Sequence, residues 1–273
     1  MNIAATNLLF YCFVAALLVT AAGFRKTYWF ISVGYAFSVM AMALIICIFY
    51  LPELRIYNWF QNLALLAWGL RLGFFVLKRE QNTAYNNSIE DLAAKANAVK
   101  FPVKLLIWVG VSVLYVCMIS PSIFTSIHFS HFDRTLKHVV MIAGIIIQYT
   151  GFTIEGIADR QKSAYKKSNP QKIYLGGLFR FIRYPNYFGE ILFWSGNFII
   201  AIPFLVFWWH WAIALAGLVC IWLIMLGSTK RLEIKQNQRY GDQPDYQAFI
   251  KNVPVLFPFI PVFSMKKAKF YLG

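Results

Sequence analysis

Four polar side chains stand at places in the sequence where an apolar environment would normally exclude them. Glu155 and Asp159 are four residues apart at the end of one apolar segment, and Asn186 and Glu190 are four residues apart at the start of the next. This spacing places the two members of each pair on one face of a helix. A charge at the centre of a bilayer costs roughly 2.5–3.5 kcal/mol even on lenient insertion scales, so such residues usually face the interior of a helix bundle and mark function. The four side chains therefore predict a polar site whose carboxylates and amide can bind hydroxyl groups or a carboxamide.

The stretch that joins the two pairs is strongly basic. Its lysines and arginines are Arg160, Lys162, Lys166, Lys167, Lys172, Arg180 and Arg183. Pro185 suits the first turn of a helix, and the start of that helix would present free backbone N–H groups and the positive end of the helix dipole. Cations beside a helix N-terminus predict a site for a polyanion such as a dinucleotide pyrophosphate. The alternative is that these residues only fix helix ends to lipid headgroups.

Membrane helices must position these side chains. Of the 273 residues, 59% are hydrophobic and 14% are charged, whereas a soluble domain normally carries about a quarter charged residues. Each apolar segment is long enough, at about 1.5 Å per residue, to cross or nearly cross the hydrocarbon layer. The seven segments lie at roughly 5–23, 28–50, 58–78, 101–120, 137–157, 187–206 and 208–227. The sequence predicts an all-α, polytopic bundle of about seven transmembrane helices.

The distribution of positive charge predicts how the bundle is oriented. Most lysines and arginines lie in the connections after the first, third and fifth segments and beyond the seventh. The connections on the other side contain only Arg55, Arg134 and Lys137. Because positively charged loops stay in the cytoplasm, the N-terminus is predicted outside and the C-terminus in the cytoplasm.

The net charge of +15 does not by itself indicate a nucleic-acid-binding protein. The positive charges flank apolar spans and do not form one soluble basic face, so we expect them to contact the headgroups of membrane lipids and expect no nucleic-acid partner. No pair of cysteines has the spacing of a metal or redox site, and we expect no bound metal.

Three stretches of the sequence resemble one membrane protein family. GLFRFIRYPNYFGEILFW, residues 177–194, resembles the GLWRYxRHPNYFGE signature of the steroid 5α-reductase-like integral membrane family, specifically of its bacterial branch. IEGIADRQKSAYKKSN, residues 154–169, is similar to that family's lExxADxQ…F…N stretch, and YQAFIKNVPVLFPFIP, residues 246–261, to its YxxYxxxTxxFxPxxP ending. Together the resemblance covers roughly residues 140–262.

The resemblance implies an enzyme that binds NADPH on the cytoplasmic side and reduces a carbon–carbon double bond conjugated to a carbonyl in a lipid or steroid-like substrate. It implies one transmembrane domain, with substrate-side helices at 1–136, a cofactor-binding region at 137–262 and a cytoplasmic tail at 263–273. A lipid-soluble substrate and membrane lipids would be the partners, without an obligate protein partner, in a bacterial inner membrane. By motif position the cofactor-binding residues would be Asp159, Arg183, Tyr184, Asn186, Tyr187, Glu190, Arg231 and Glu233, with Gln161, Lys162, Asn169 and Tyr174 as further candidates.

The sequence departs from this family at the positions that polarise the substrate. Tyr184 replaces the usual histidine, and Phe30 and Val33 replace an acidic residue and a tryptophan of the bacterial branch. The steroid reductases use a glutamate in span two and a tyrosine in span three, whereas this chain has no carboxylate in span two and has Trp68 near the latter position. Hydride addition leaves developing charge on the carbonyl oxygen, which a donor must stabilise. We predict Tyr35 as this catalytic donor.

Two other functions remain open at this point. Membrane methyltransferases of isoprenyl or phospholipid substrates use S-adenosylmethionine and share a similar RHPxYxG segment, and Arg231 and Glu233 with the following RYGDQPDYQAF are similar to their downstream part. The Asn186 and Glu190 pair and the ADRQK segment fit the reductase-like branch better. A non-enzymatic membrane protein is the second alternative.

Overall fold

The computed structural model describes residues 3–50, 55–81, 94, 96, 98–127 and 134–268. Its regular structure in these ranges is helical, without a strand, which confirms the all-α prediction. The α-helices are α1 (Ile3–Thr20), α2 (Val33–Tyr50), α3 (Ile56–Glu80), α4 (Phe101–Ser126), α5 (Arg134–Ser168), α6 (Pro185–Ala201), α7 (Trp208–Tyr240) and α8 (Pro244–Asn252). Short 3₁₀ helices lie at Ala21–Phe24, Thr27–Ile31, Gly177–Arg180 and Ile202–Phe204.

Helices α1 to α7 are each long and apolar enough to cross a bilayer, in agreement with the seven predicted spans. The chain is an integral membrane protein. Two helices extend beyond the predicted apolar segments: α5 continues to Ser168 and α7 to Tyr240, with lengths of 35 and 33 residues. Neither extension contains glycine or proline, and its lysines, arginines and glutamines are good helix formers. The helices therefore end only shortly before Pro170 and Gly241.

The chain forms two compact units, of which the first comprises the residues up to Ile145 together with Asn197–Leu218. Here α2 and α3 are in close contact because two glycines of α3 face α2. A Cβ atom on Gly69 would lie 2.8 Å from the carbonyl oxygen of Ala36, and one on Gly73 would lie 2.7 Å from the ring of Phe37. Small residues allow membrane helices to approach closely in this way, since lipid supplies no hydrophobic drive for their association.

A buried hydrogen-bond network also connects helices within the first unit. Gln61 Nε2 donates to Asn197 Oδ1 at 2.8 Å, and Thr125 Oγ1 donates to Gln61 Oε1 at 2.7 Å. Ser122 Oγ donates to Asn62 Oδ1 at 2.7 Å. All five side chains are fully buried. Because the bilayer core offers no water to replace these partners, the network holds α3, α4 and the end of α6 in register.

The second unit comprises Ile146–Gly196 and Val219–Gly273. In it, α8 packs through Tyr246 and Phe249 against Tyr240 at the end of α7. The segment before α6 pairs with the chain after α8 through backbone hydrogen bonds from Arg183 N to Pro254 O (3.0 Å) and from Tyr184 N to Val255 O (3.2 Å). The three stretches that carry the family resemblance all fall in this unit.

Candidate functional site

The centre of the candidate site is a direct backbone contact between α5 and α6. A Cβ atom on Gly189 of α6 would lie 2.6 Å from Glu155 N and 2.9 Å from Glu155 Cβ, and one on Gly151 of α5 would meet the α6 backbone at Gly189 and Phe193. Only glycine leaves room for such an approach. The contact holds the start of the Glu155 side chain against α6 at Gly189, the residue that precedes Glu190 in the sequence.

The buried face of α5 carries polar side chains along its length. Gln148, Gly151, Glu155 and Ala158 follow one another at helical spacing and are all buried. Asp159 comes next and is half-buried. Glu155 is 3% exposed, so its carboxyl group faces the interior of the unit and not the surrounding lipid.

The second predicted pair has a similar arrangement at the start of α6. Glu190 is 8% exposed, and Asn186 is half-buried one turn earlier. Both residues lie in the first two turns of the helix, where Pro185 occupies the first position as predicted. Glu155 and Glu190 are thus carboxylates buried in the membrane-spanning helices α5 and α6, which is the arrangement expected of groups kept for binding.

Arg183 and Glu233 form a buried ion pair. The Nη1 and Nη2 atoms of Arg183 each lie 3.4 Å from Glu233 Oε1, and the two side chains are 0% and 2% exposed. Nη2 also donates to the carbonyl oxygen of Phe263, while Glu233 Oε2 accepts the backbone N–H of Met265 at 2.8 Å. The pair fixes the end of the chain to α7. These contacts give both residues a positioning role, whereas their predicted contact with a cofactor stays a prediction.

Tyr184 and Tyr187 lie beside this ion pair at the start of α6. Tyr184 is buried and donates its hydroxyl hydrogen to Gln236 Oε1 at 2.9 Å, and its ring stacks on Tyr187 with 6.1 Å between ring centroids. Burial raises the pKa of Tyr184 well above its usual range, against the opposing effect of Arg183. Tyr184, which stands where the resembling family has a histidine, is therefore a neutral donor at physiological pH and does not accept a proton there.

The weaker cofactor candidates shape the connection between α5 and α6. Gln161 Oε1 accepts the N–H of Leu178 at 3.1 Å, beside Gly177, whose φ of 54° favours glycine. The Asn169 amide donates to the carbonyl oxygen of Tyr165 at 3.4 Å. The Tyr174 ring lies 5.0 Å from that of Tyr165. These contacts build the connection itself, so a role in cofactor binding would come in addition to it.

Two cations fix the turn at residues 170–172 to the polar ends of α5 and α7. Lys166 Nζ donates to the carbonyl oxygen of Lys172 at 2.6 Å and to the hydroxyl of Tyr240 at 2.8 Å. Arg239 Nη2 donates to the carbonyl oxygen of Pro170 at 3.2 Å. Three further basic residues of the unit are exposed or half-buried: Lys162, Arg180 and Arg231. The unit thus has a positively charged polar end, as the polyanion prediction requires.

Replacing Tyr246 by phenylalanine is expected to raise the free energy of unfolding by about 1 kcal/mol, because the buried hydroxyl has no hydrogen-bond partner in the described part of the chain. Tyr184→Phe is expected to lower it by a similar amount, because Gln236 loses its donor. Thermal unfolding in detergent at neutral pH measures both changes, and equal signs for the two variants would contradict the prediction.

The stability of the protein is also expected to depend on pH through Tyr246. Burial raises the pKa of Tyr246 to about 12, although Arg183 lowers it. Since the unfolded tyrosine ionises near pH 10, its contribution to stability is present below pH 10 and is lost as the pH rises toward 12. We expect Tyr246→Phe to reduce this loss of stability, measured as the unfolding midpoint between pH 9 and 12.

The predicted catalytic residue, Tyr35, lies in the first unit within an aromatic cluster. Its ring stacks on Tyr115 with centroids 5.1 Å apart and meets Trp68 edge-on at 5.0 Å. Tyr115 donates its hydroxyl hydrogen to the carbonyl oxygen of Phe30 at 2.8 Å. Two of the positions at which the sequence departs from the resembling family, Phe30 and Trp68, therefore lie beside the Tyr35–Tyr115 pair. Val33 is buried at the start of α2.

Sequence reasoning missed one residue in each unit. Tyr115 is one aromatic residue in an apolar helix, and no sequence signal distinguishes it. Gln148 did have a signal, since it is an amide within the apolar run GIIIQYTG. Its side chain is fully buried on the face of α5 that carries Glu155.

One comparison matches the chain to a family that is described without a function. No curated protein and no solved structure matches the chain. Residues 18–253 match the model of a family described as Protein of unknown function (DUF1295). Because this match covers most of the sequence, the chain belongs to the DUF1295 family.

Proposed function

We propose that this protein is an NADPH-dependent membrane reductase that acts on a carbon–carbon double bond conjugated to a carbonyl in a lipid or steroid-like substrate. The observation that carries the proposal is the α5–α6 contact, where Glu155 and Glu190 are buried within apolar helices. Both residues lie in the stretches that resemble the steroid 5α-reductase-like family. Ionisable residues buried within membrane helices usually mark a functional site, and this supports a ligand-binding role for the two carboxylates.

The residues of the second unit fit the chemical groups of NADPH. Buried carboxylates can accept hydrogen bonds from ribose hydroxyls, and Gln148 offers an amide to a carboxamide. The lysines and arginines at the polar ends of α5 and α7 can bind the phosphates, including the 2′-phosphate that distinguishes NADPH from NADH. When bound, NADPH supplies a hydride.

The protein's own part in the reaction is to polarise and position the substrate. Reduction adds a hydride at the β-carbon and a proton at the α-carbon, and negative charge develops on the carbonyl oxygen in between. We assign the Tyr35 hydroxyl as the donor that stabilises this oxygen. Its ring is held by Tyr115 and Trp68, which fixes the position of the hydroxyl oxygen.

The setting of this reaction follows from the sequence. A lipid-soluble substrate reaches a membrane enzyme laterally from the bilayer. NADPH reaches it from the cytoplasm, where we place the basic ends of α5 and α7 and the C-terminus. We propose the bacterial inner membrane as its location and contact with membrane lipids, without an obligate protein partner.

The test is a binding measurement on the full-length protein purified in detergent. Calorimetric titration with NADPH is expected to show saturable binding that weakens as salt concentration rises, since phosphates contact cations. Titration with S-adenosylmethionine is the matched control. Binding of S-adenosylmethionine alone would favour a methyltransferase, and binding of neither compound would favour a non-enzymatic protein.

A further inference from the structure

Gln148 differs from an ordinary buried residue of a membrane helix. Its side chain is fully buried in α5, and neither Oε1 nor Nε2 has a hydrogen-bond partner within the described ranges of the chain. An amide that is buried without partners destabilises a fold, and an apolar residue of the same size would avoid the penalty. The bilayer core supplies no water to compensate.

Gln61 shows what a structural glutamine looks like in this protein. It is also fully buried in a membrane helix, yet its Nε2 donates to Asn197 Oδ1 at 2.8 Å and its Oε1 accepts from Thr125 at 2.7 Å. Two glutamines with the same burial thus differ in whether the protein supplies hydrogen-bond partners for their side-chain amides. The difference indicates that no described residue is the partner of Gln148, so that its amide is available to a ligand.

The position of Gln148 relates it to the candidate site. Gln148 precedes Gly151 by one turn and Glu155 by two turns, so it lies about 10 Å along α5 from Glu155. All three residues belong to the same buried face. On that face, the polar groups run from Asp159 at the polar end of the helix, through Glu155, to a neutral amide at the apolar end.

We propose that Gln148 binds the carboxamide of the nicotinamide ring. The inference rests on the proposed function. A carboxamide is the complement of the glutamine amide, because its N–H can donate to Oε1 while its carbonyl oxygen accepts from Nε2. A flat, largely apolar ring suits the apolar end of this face, and the phosphates of the same molecule suit the basic end.

The first measurement uses no ligand. Gln148→Met removes an unsatisfied amide and is expected to raise the thermal midpoint of the full-length protein in detergent by about 2–4 °C. Gln61→Met is the matched control and is expected to lower the midpoint, because Asn197 and Thr125 lose their partner. A fall for Gln148→Met comparable to that for Gln61→Met would overturn the proposal, since the amide would then serve the fold.

The second measurement is binding. We expect Gln148→Met to weaken NADPH binding by roughly tenfold or more in calorimetric titration. The 3-acetylpyridine analogue of NADPH keeps the carbonyl but replaces the amide nitrogen by a methyl group. Wild-type protein should bind this analogue more weakly than NADPH, whereas Gln148→Met should bind the two about equally.

The failures of the two proposals are distinguishable. Wild-type protein that binds no NADPH overturns the proposed function and the role of Gln148 together. Wild-type and Gln148→Met proteins that bind NADPH with the same affinity leave the proposed function standing and overturn the role of Gln148 alone.

Discussion

Replacing Arg183 by methionine is expected to lower the free energy of unfolding by about 3–5 kcal/mol. The substitution leaves the Glu233 carboxylate, which is 2% exposed, buried without its cation. It also removes the donor to the Phe263 carbonyl oxygen, so the end of the chain loses one of its attachments to α7. The measurement is the thermal midpoint in detergent, together with the susceptibility of the C-terminal segment to limited proteolysis.

The double variant Arg183→Met, Glu233→Leu separates the ion pair from the loss of packing. Because removing both charges leaves no uncompensated carboxylate, we expect it to be more stable than Arg183→Met alone. Arg231→Met is the matched control on an exposed arginine two residues from Glu233, and should change stability little. Full stability of Arg183→Met with a loss of NADPH binding would instead give Arg183 the direct cofactor contact that the family resemblance implies.

Replacing Glu190 by glutamine is expected to weaken NADPH binding by about 10- to 100-fold. The substitution keeps the size of the side chain and removes the charge, and hydrogen bonds to a charged group are worth about 1.5–3 kcal/mol. Glu190 is buried beside the α5–α6 contact, so solvent does not screen this loss. Calorimetric titration with NADPH measures it, and Asn186→Ala is expected to act in the same direction.

Asp242→Asn is the control for this experiment, because Asp242 is an exposed carboxylate of the same unit. It should leave NADPH affinity unchanged. If Glu190→Gln binds NADPH as tightly as the wild type and folds normally, the α5–α6 contact is a packing feature and the proposed site is wrong.

The residues assigned to the cofactor by resemblance divide into two groups in the structure. Arg183, Glu233 and Tyr184 are hydrogen-bonded to other parts of the protein. Asp159 and Asn186 are half-buried, at the polar ends of the helices that carry Glu155 and Glu190. Part of the motif therefore serves to hold the second unit together.

The seven spans could be predicted from the sequence because they depend on composition alone. A run of about twenty apolar residues forms a helix in lipid, since every backbone group must find its partner within the segment. The far ends of α5 and α7 were harder to predict, because Ser168 and Tyr240 lie in polar extensions that no apolar pattern marks. Both extensions continue because they contain no glycine or proline, and they stop shortly before Pro170 and Gly241.

The candidate site was only partly predictable for the same reason. Helical spacing was enough to place Glu155 with Asp159 and Asn186 with Glu190, because a helix fixes which residues share a face. The sequence did not predict that α5 and α6 touch at Gly151 and Gly189, since glycine also occurs where helices do not meet.

Sequence by itself determined a membrane protein of seven helices with polar groups at one end of its fifth and sixth spans. Tertiary structure alone decided which polar groups are satisfied. Gln61 and Gln148 are both glutamines in predicted membrane spans. Gln61 is hydrogen-bonded through both polar side-chain atoms, whereas Gln148 has no partner in the described residues. Helix packing decides which residues far apart in the sequence become partners, such as Asn197 for Gln61. The local spacing of residues does not predict this packing.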